Sequence, residues 1–349
     1  MRHYKEHLIL SSTTIREALK VLEKLSHDAI SFVVDENDVL IGSLTDGDVR
    51  RGLIKGAELD QPVDDIIQSN PRFIRKNDQD IQKVIEYRDN DFKIIPILDQ
   101  NDRIVNVINF GDLKSYLPVD VVVMAGGKGT RLRPLTNNTP KPLLKVGDKP
   151  IIEHNIERLS LFGMDDFWIT VNYLGEQIQQ YLGNGNQKNL NINYVWEDKP
   201  LGTIGSVSKI ETFIHEYVLV TNSDILTNLD YEDFFLRFIE HNADFAVVTI
   251  PYKVDVPYAV LETSNGHVMN FKEKPTYTYY SNGGIYLMKR EVTEGIPKNS
   301  FYNTTDLMEE LISSGKKVLS YPLSGYWLDI GKPEDFEKAQ EDIKTINFK

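Results

Sequence analysis

The 349-residue chain contains no cysteine. That excludes disulfides, thiolate metal sites and a cysteine nucleophile together. Basic residues are in deficit, with 39 Lys and Arg against 52 Asp and Glu, and the formal charge is −13. This balance argues against broad electrostatic attraction to nucleic acid or to an anionic membrane surface. It leaves room for a phosphate ligand, for which a few local cations suffice. No apolar run approaches ~18 residues, and the start, MRHYKEHLIL, lacks the apolar centre of a signal peptide. A cytoplasmic location is therefore expected. What the chain does have, 41% hydrophobic and 26% charged residues, is ordinary for a soluble globular protein. Its length allows two domains with proper cores.

The rest is organised around VVVMAGGKGTRLRPLTNNTPKPLL, Val121 to Leu144. Val121, Val122, Val123 and Met124 read as a strand buried on both faces of a parallel sheet. Ala125, Gly126, Gly127, Lys128, Gly129 and Thr130 follow, where side chains nearly vanish and backbone amides can turn inward on a phosphate chain. Arg131 comes next, and Lys141 sits between Pro140 and Pro142. A glycine cradle with two positionable cations can hold a triphosphate and balance charge on a leaving pyrophosphate. The spacing of a Walker-type loop is absent, and a dinucleotide fingerprint through Gly127 and Gly129 fails at Leu132. A plain glycine turn would explain the glycines but not the cations and paired prolines.

This stretch resembles the signature of the sugar-1-phosphate nucleotidyltransferases: Gly-Gly-x-Gly-Thr-Arg-Leu, then Pro-Leu-Thr, then Pro-Lys-Pro-Leu. Every part is present, as Gly126 to Leu132, Pro134 to Thr136 and Pro140 to Leu143. The resemblance implies catalytic roles for Arg131 and Lys141, and a nucleotide seat at Ala125, Gly126, Gly127, Gly129 and Thr130.

An internal repeat fills the chain before this stretch. FVVDENDVLIGSLTDGDVRRGL (Phe32 to Leu53) aligns without gaps on PILDQNDRIVNVINFGDLKSYL (Pro96 to Leu117). Each copy reads as strand, polar turn, strand and a short acidic-started helix. Thr14 and Glu17 form a capping-box pattern opening the helix IREALKVLEKL. IQKVIEYRDN, after Asp78 and Asp80, is the corresponding helix of the second copy. The tandem unit resembles a pair of cystathionine-β-synthase-type (CBS) domains, which often bind adenine nucleotides. By that resemblance Thr45 and Asp48 in the first copy, and Asp112 in the second, would contact a ligand; the second copy has Asn109 where the first has Thr45. Helix capping is the equally weighted alternative. Pro118 closes the module, and the short link to Val121 suggests fixed tethering.

Beyond Val121, buried strands alternate with helical stretches. The expected fold is α/β: a doubly wound, mostly parallel-sheet nucleotidyltransferase domain over residues 118–349, preceded by a tandem CBS-domain module over 1–117, with repeats of about 1–58 and 59–117. Ligands in such sheets sit outside the carboxyl ends of the strands. Asp224 leaves the end of the apolar strand in YVLVTNSDIL, where a carboxylate must find a cation or water. Asp329, in Tyr326-Trp327-Leu328-Asp329-Ile330-Gly331, is a second such acid. Two carboxylates converging on a triphosphate would supply a Mg²⁺ site, the role the family gives these positions. Turn-capping aspartates are the rival reading.

The resemblance also covers Phe271-Lys272-Glu273-Lys274-Pro275, where it implies that Glu273 bonds sugar hydroxyls and Lys274 contacts the sugar phosphate. Asn282-Gly283-Gly284 would let backbone approach the sugar, giving Asn282 and Gly284 sugar-binding roles. One departure is Ala259, in Pro257-Tyr258-Ala259-Val260, where the family commonly has glycine. Trp196-Glu197-Asp198-Lys199-Pro200-Leu201-Gly202-Thr203 resembles the loop that reads the nucleobase, through Glu197 and Gly202. A carboxylate at Glu197 fits the N1–H and N2–H₂ donors of guanine better than the mixed edge of uracil. The seven histidines show no metal-like spacing, and Ser223 has no neighbouring base for a covalent mechanism.

These readings converge on transfer of a nucleotidyl group from a nucleoside triphosphate, GTP favoured, to a sugar 1-phosphate, with Mg²⁺ as cofactor. The fused arrangement resembles the guanylyltransferases of bacterial legionaminic-acid synthesis, which act on glucosamine 1-phosphate; mannose 1-phosphate is the next substrate in order. A homo-oligomer is the expected assembly. The rival from another class is a nucleotide-sensing regulator without turnover, disfavoured by the joint presence of Arg131, Lys141, Asp224, Glu273, Lys274 and Asp329.

Overall fold

The apolar run forms the strand Val119–Met124, third in a seven-stranded sheet. In spatial order the strands are Asn191–Trp196, Asp166–Val171, Val119–Met124, Tyr217–Asn222, Thr276–Lys289, Phe245–Asp255 and Val318–Pro322. All pair in parallel except Thr276–Lys289, which is antiparallel to both neighbours. The sequence of Val119–Met124 is continuously apolar at Val121–Val123 because both faces are covered. Val121 and Val123 enter one cluster with Phe162, Phe234 and Phe235, while Val122 enters another with Val207, Phe245 and Met288. All three valines are fully buried, which is worth roughly 1.5–3 kcal/mol per side chain. The helices Ile151–Ser160 and Tyr231–Glu240 cover the first face, and Thr304–Ser313 the second.

This computed structural model describes residues 3–76 and 80–346; Asp78 lies outside them. Among the described residues, no helix is long and apolar enough to cross a membrane.

The repeat appears as two three-stranded sheets of the same topology. Leu8–Leu10, Ile30–Val34 and Leu40–Thr45 make one, and Ile74–Arg75, Ile94–Leu98 and Ile104–Asn109 the other. In each, the first pair is parallel and the second antiparallel. The polar turns match atom for atom. Asp35 Oδ1 accepts from the Asn37 and Val39 N–H groups, and Asp99 Oδ1 from those of Asn101 and Arg103. The two turns also exchange hydrogen bonds, Leu40 N–H to the Asp102 carbonyl and Ile104 N–H to that of Asp38, both near 3 Å. Thr14 and Glu17 make the expected capping box for Ile15–Leu25.

The copies part at their ends. Asp46–Ile54 is a helix after the first, but Gly111 to Lys114 make only turns after the second. There Asn109 Oδ1 takes the Gly111 N–H into a local turn. Leu113, Tyr116 and Leu117 are instead drawn into the cluster that contains Val121 and Phe162. Pro118 immediately precedes the strand Val119–Met124, so the segment has no length left for a helix. Ile74, Ile81, Ile95 and Ile108 join the same cluster, so the second copy shares its core with the large sheet.

Beyond Thr249 and Ile285 two strands of the sheet have only each other. They continue as a ribbon paired from Thr249↔Asn282 to Asp255↔Thr276, ending in the hairpin Val260–Ser264 and His267–Lys272.

Candidate active site

The glycine loop leaves the carboxyl end of Val119–Met124. Ala125 is pinned by its N–H to the Thr170 carbonyl at 3.0 Å. Among the described residues, no hydrogen bond takes the N–H of Gly126, Gly127, Lys128 or Gly129, which leaves a row of donors for an anion. Gly129 sits at φ +58, and a Cβ there would press on Lys141 and Thr136 at 3.0 Å. Thr136 donates its hydroxyl to the Gly129 carbonyl at 2.8 Å. Thr130–Leu132 is a single helical turn that exposes Arg131 and buries Leu132. Leu132 packs with Leu226, Leu328 and Ile330. It thereby ties the loop to both acid-bearing strands.

Those strands explain how two acids so distant in sequence meet. Ile225–Thr227 pairs antiparallel with Trp327–Asp329, and Ile225 faces Asp329. The Ile330 N–H donates to the Asp224 carbonyl at 3.0 Å. Lys141, buried among its neighbours, is ion-paired with Asp224. Arg131 lies beside Gly331, its guanidinium 3.3–3.5 Å from where a Cβ would stand. Burial and the charge of Asp224 hold the Asp329 carboxyl above the ordinary range, against the pull of Lys141 and Arg131. Asp329 Oδ1 is buried without a hydrogen-bond partner. An orphaned carboxylate oxygen beside a second carboxylate suits a hard divalent cation such as Mg²⁺, which takes oxygen ligands.

Glu197 comes to the other side of the loop. Its Oε1 would lie 3.2 Å from a Cβ on Gly126. Burial raises its carboxyl, opposed by the Leu201 N–H, the Ser206 hydroxyl, the Lys209 charge and the Thr170 hydroxyl. Gly202 is at φ +80, with the Tyr302 carbonyl 2.5 Å from any Cβ, so only glycine fits. Gly284, at φ +71, packs against the Asn222 amide, two residues from Asp224. The Asn282 side chain accepts from the Gly284 N–H at 2.9 Å.

The structure therefore gathers Arg131, Lys141, Asp224, Asp329, Glu197 and Gly284 around one loop. Glu273 and Lys274 are exposed at the foot of the distal hairpin, with no hydrogen bond or ion pair to those five charged residues among the described ones. Thr45, Asp48 and Asp112 are not gathered there. Thr45 and Asp48 form a reciprocal capping box, and Arg51 takes the other Asp48 oxygen. Asp112 instead lines a separate cleft of about 1190 Å³ between the second repeat and the helix Ile151–Ser160.

Three supports were not legible in the sequence. Asn172 donates to the Glu197 carbonyl at 2.7 Å, Trp327 Nε1 to the Gly283 carbonyl at 2.9 Å, and Thr203 bonds Thr304. Each joins segments with no shared motif. The sequence also gave no sign that Asp165, Asp166 and His215 meet at the opposite, amino-terminal end of the sheet, with ligand atoms within 4.8 Å. The Lys76 ammonium, 2.9 Å from Asp166 and 3.6 Å from Asp165, already fills the place a cation would take.

Comparison with known proteins agrees with this geometry. A CBS domain model matches residues 7–55, and a nucleotidyl transferase model matches residues 120–346. Mannose-1-phosphate guanyltransferase of Schizosaccharomyces pombe is 31% identical over 62% of this chain and 61% of its own. UTP–glucose-1-phosphate uridylyltransferase of Synechocystis is 31% identical over 65% and 64%. The chain thus spans less than two thirds of the length of these two relatives. D-glycero-alpha-D-manno-heptose 1-phosphate guanylyltransferase of Aneurinibacillus thermoaerophilus is 30% identical over 65% of this chain and 99% of its own. Among solved structures, HddC from Yersinia pseudotuberculosis complexed with GMP-PN aligns with a TM-score of 0.50 and 26% identity, over 64% of this chain and 99% of its own. The match over residues 120–346 covers well over half of the chain, which belongs to the nucleotidyl transferase family.

Proposed function

We propose that the protein is a guanylyltransferase that makes a GDP-sugar and pyrophosphate from GTP and a sugar 1-phosphate. The observation that carries the reading is the convergence of Arg131, Lys141, Asp224 and Asp329 on a loop whose backbone N–H groups are free for an anion. An oxygen of the sugar phosphate attacks the α-phosphorus of GTP in line. The bond from that phosphorus to the bridging oxygen breaks, and pyrophosphate leaves with the electron pair. Such chemistry depends on positioning and charge neutralisation more than on proton transfer.

The loop amides and Arg131 hold the triphosphate, and Lys141 is placed to bond a phosphate oxygen. Asp224 and Asp329 would hold Mg²⁺, which would neutralise charge on the phosphates. Glu197 supports guanine, since its carboxylate lies against Gly126 at the loop and accepts rather than donates. Two relatives are guanylyltransferases, which agrees with that choice, whereas another is a uridylyltransferase. Glucosamine 1-phosphate is the first acceptor to test, on the CBS–transferase fusion, and mannose 1-phosphate the second. An adenine nucleotide acting through the module of residues 1–117 would modulate the rate.

The test is a pyrophosphate-release screen across four nucleoside triphosphates and several sugar 1-phosphates. Turnover with GTP and one hexose 1-phosphate is expected. Tight nucleotide binding without turnover on any pair would favour the sensing regulator instead.

A further inference from the structure

The cleft lined by Asp112 shares no residue with the glycine-loop site. Its volume of about 1190 Å³ exceeds the ~300–1,000 Å³ of ordinary small-molecule sites. One wall is the second repeat, through Arg88 and residues 110–114, and the other is the helix Ile151–Ser160 with Leu161 beyond it. The two walls are fastened to each other. Arg88 Nη1 donates to both Glu232 oxygens at 3.0 and 3.1 Å and to the Lys114 carbonyl at 2.6 Å.

Charge and polarity identify the ligand. Five Lys and Arg side chains line the cleft against four Asp and Glu, in a chain of charge −13. Three of those acids are already engaged. Glu232 is held by Arg88, and Asp230 accepts from the Glu232 and Asp233 N–H groups. Glu157 pairs with Lys149 at 2.7 Å and with Lys188 at 3.5 Å. Lys114 is exposed and pairs with no carboxylate among the described residues; its ammonium stands 5.6 Å over the Phe162 ring. A phosphate would give Lys114 an anion and offer Lys149 and Lys188 a second one. Phe110, Leu161 and Ile343 add apolar lining, which suits the ring of a base and would be idle against a bare phosphate.

The helix that lines the cleft also holds both ends of the strand Ile225–Thr227, which follows Asp224. Buried Asn155 donates to the Ser223 carbonyl, next to Asp224, at 3.1 Å. Arg158, which lines the cleft, donates to the Asn228 and Leu229 carbonyls at 3.0 and 2.7 Å. A ligand that draws Lys149 and Lys188 from Glu157 would therefore act on the helix that positions Asp224.

We infer that this cleft binds a nucleoside phosphate, and that its occupancy is relayed through Asn155 and Arg158 to Asp224. The site lies between the second repeat and the transferase, and both supply its walls. Its effect on the rate rests on the transfer reading, whereas the binding does not.

Two experiments test it, and the first does not depend on turnover. The chain has no cysteine, so Gln187→Cys places a single thiol at an exposed position lining the cleft. Its labelling by a maleimide is timed with AMP, ATP, GDP or inorganic pyrophosphate present. A nucleotide at about ten times its dissociation constant should slow labelling roughly tenfold. Protection by AMP or ATP marks an adenine nucleotide, and protection by GDP a guanine one. Adding Lys114→Glu should abolish the protection, and Lys114→Arg should keep it. No protection by any nucleotide, or none beyond that by pyrophosphate, overturns the proposal. Protection of a Lys55→Cys thiol instead would put the ligand on the first repeat and overturn it too. The second experiment reads the relay. The protecting nucleotide should shift the free Mg²⁺ for half-maximal pyrophosphate release by about fivefold or more, the low end of allosteric coupling. Lys114→Glu should lose that shift while keeping the parent's basal rate, and Asn155→Ala should keep the protection but lose the shift. An unshifted Mg²⁺ titration in an active parent overturns the relay. A parent that releases no pyrophosphate, with the thiol still protected, defeats the transfer reading and leaves the site standing.

Discussion

Lys141 is ion-paired with Asp224, so the cation suited to a phosphate oxygen is held by the carboxylate suited to a metal. The two charges meet in a largely buried place, where an unpaired charge is costly. Arriving Mg²⁺ and triphosphate would exchange these partners rather than desolvate bare charges. Arg131, by contrast, is exposed beside Gly331. Both Arg131→Ala and Lys141→Ala are expected to lower turnover by roughly 10²-fold or more, the scale of losing a transition-state charge contact. They should differ in stability. Lys141→Ala leaves Asp224 and Asp329 facing each other and lowers the melting temperature, whereas Arg131→Ala leaves it nearly unchanged. Equal turnover in parent and both variants would remove the loop from the active site.

Asp224→Asn keeps the shape of the ladder that pairs Ile225 with Asp329 but removes one charge from the metal site. Activity should fall, and the Mg²⁺ concentration for half-maximal rate should rise. An unaltered Mg²⁺ titration would put the metal elsewhere.

Asp329 gives a prediction of opposite sign. Its carboxyl is raised first by burial and then by Asp224, so ionising it costs folded-state stability. Below the ordinary carboxylate range the group is protonated in both folded and unfolded chains, and nothing is lost. The cost appears as pH rises through the folded-state value and is complete above it. Without metal, Asp329→Asn should therefore melt above the parent at neutral pH, by about 2–4 °C for each kcal/mol relieved. The gap should close on acidification. Mg²⁺ should raise the parent but not the variant. A variant no more stable than the parent at neutral pH would mean that Arg131 and Lys141 already compensate the charge.

Much of this was legible in local sequence because the signals were local. The unbroken Val121–Val123 run reported a strand covered on both faces, and Thr14 with Glu17 reported a helix start. The aspartates of the repeat, Asp35 and Asp99, fold the same turn because each closes a bond within four residues. What failed depended on distant packing. GDLKSYL reads as a copy of GDVRRGL, yet Leu113, Tyr116 and Leu117 are claimed by the large sheet's core, and no helix forms.

The base-reading prediction rests on Glu197. Its Oε1 lies against Gly126, and burial holds its carboxyl above the ordinary range despite donors from Leu201, Ser206 and Thr170. If the carboxylate accepts from guanine N1–H and N2–H₂, removing its charge should leave at least one buried donor poorly paired. A lost charge-assisted bond is worth about 1.5–3 kcal/mol, or roughly 10- to 150-fold in discrimination. Glu197→Gln keeps the volume and adds a donor, which suits the uracil edge better. The parent should prefer GTP, and Glu197→Gln should narrow that lead over UTP. The measurement is the ratio of kcat/KM for GTP and UTP in both proteins, at one saturating sugar 1-phosphate. Acidity supplies an independent check, because a raised carboxyl takes up its proton sooner as pH falls. The parent's ratio should then decline toward that of Glu197→Gln, whose own ratio stays flat. A parent that prefers UTP, or a ratio indifferent to both substitution and pH, would remove Glu197 from base recognition. The transfer reading would survive, since it rests on the loop amides, the cations and the two aspartates.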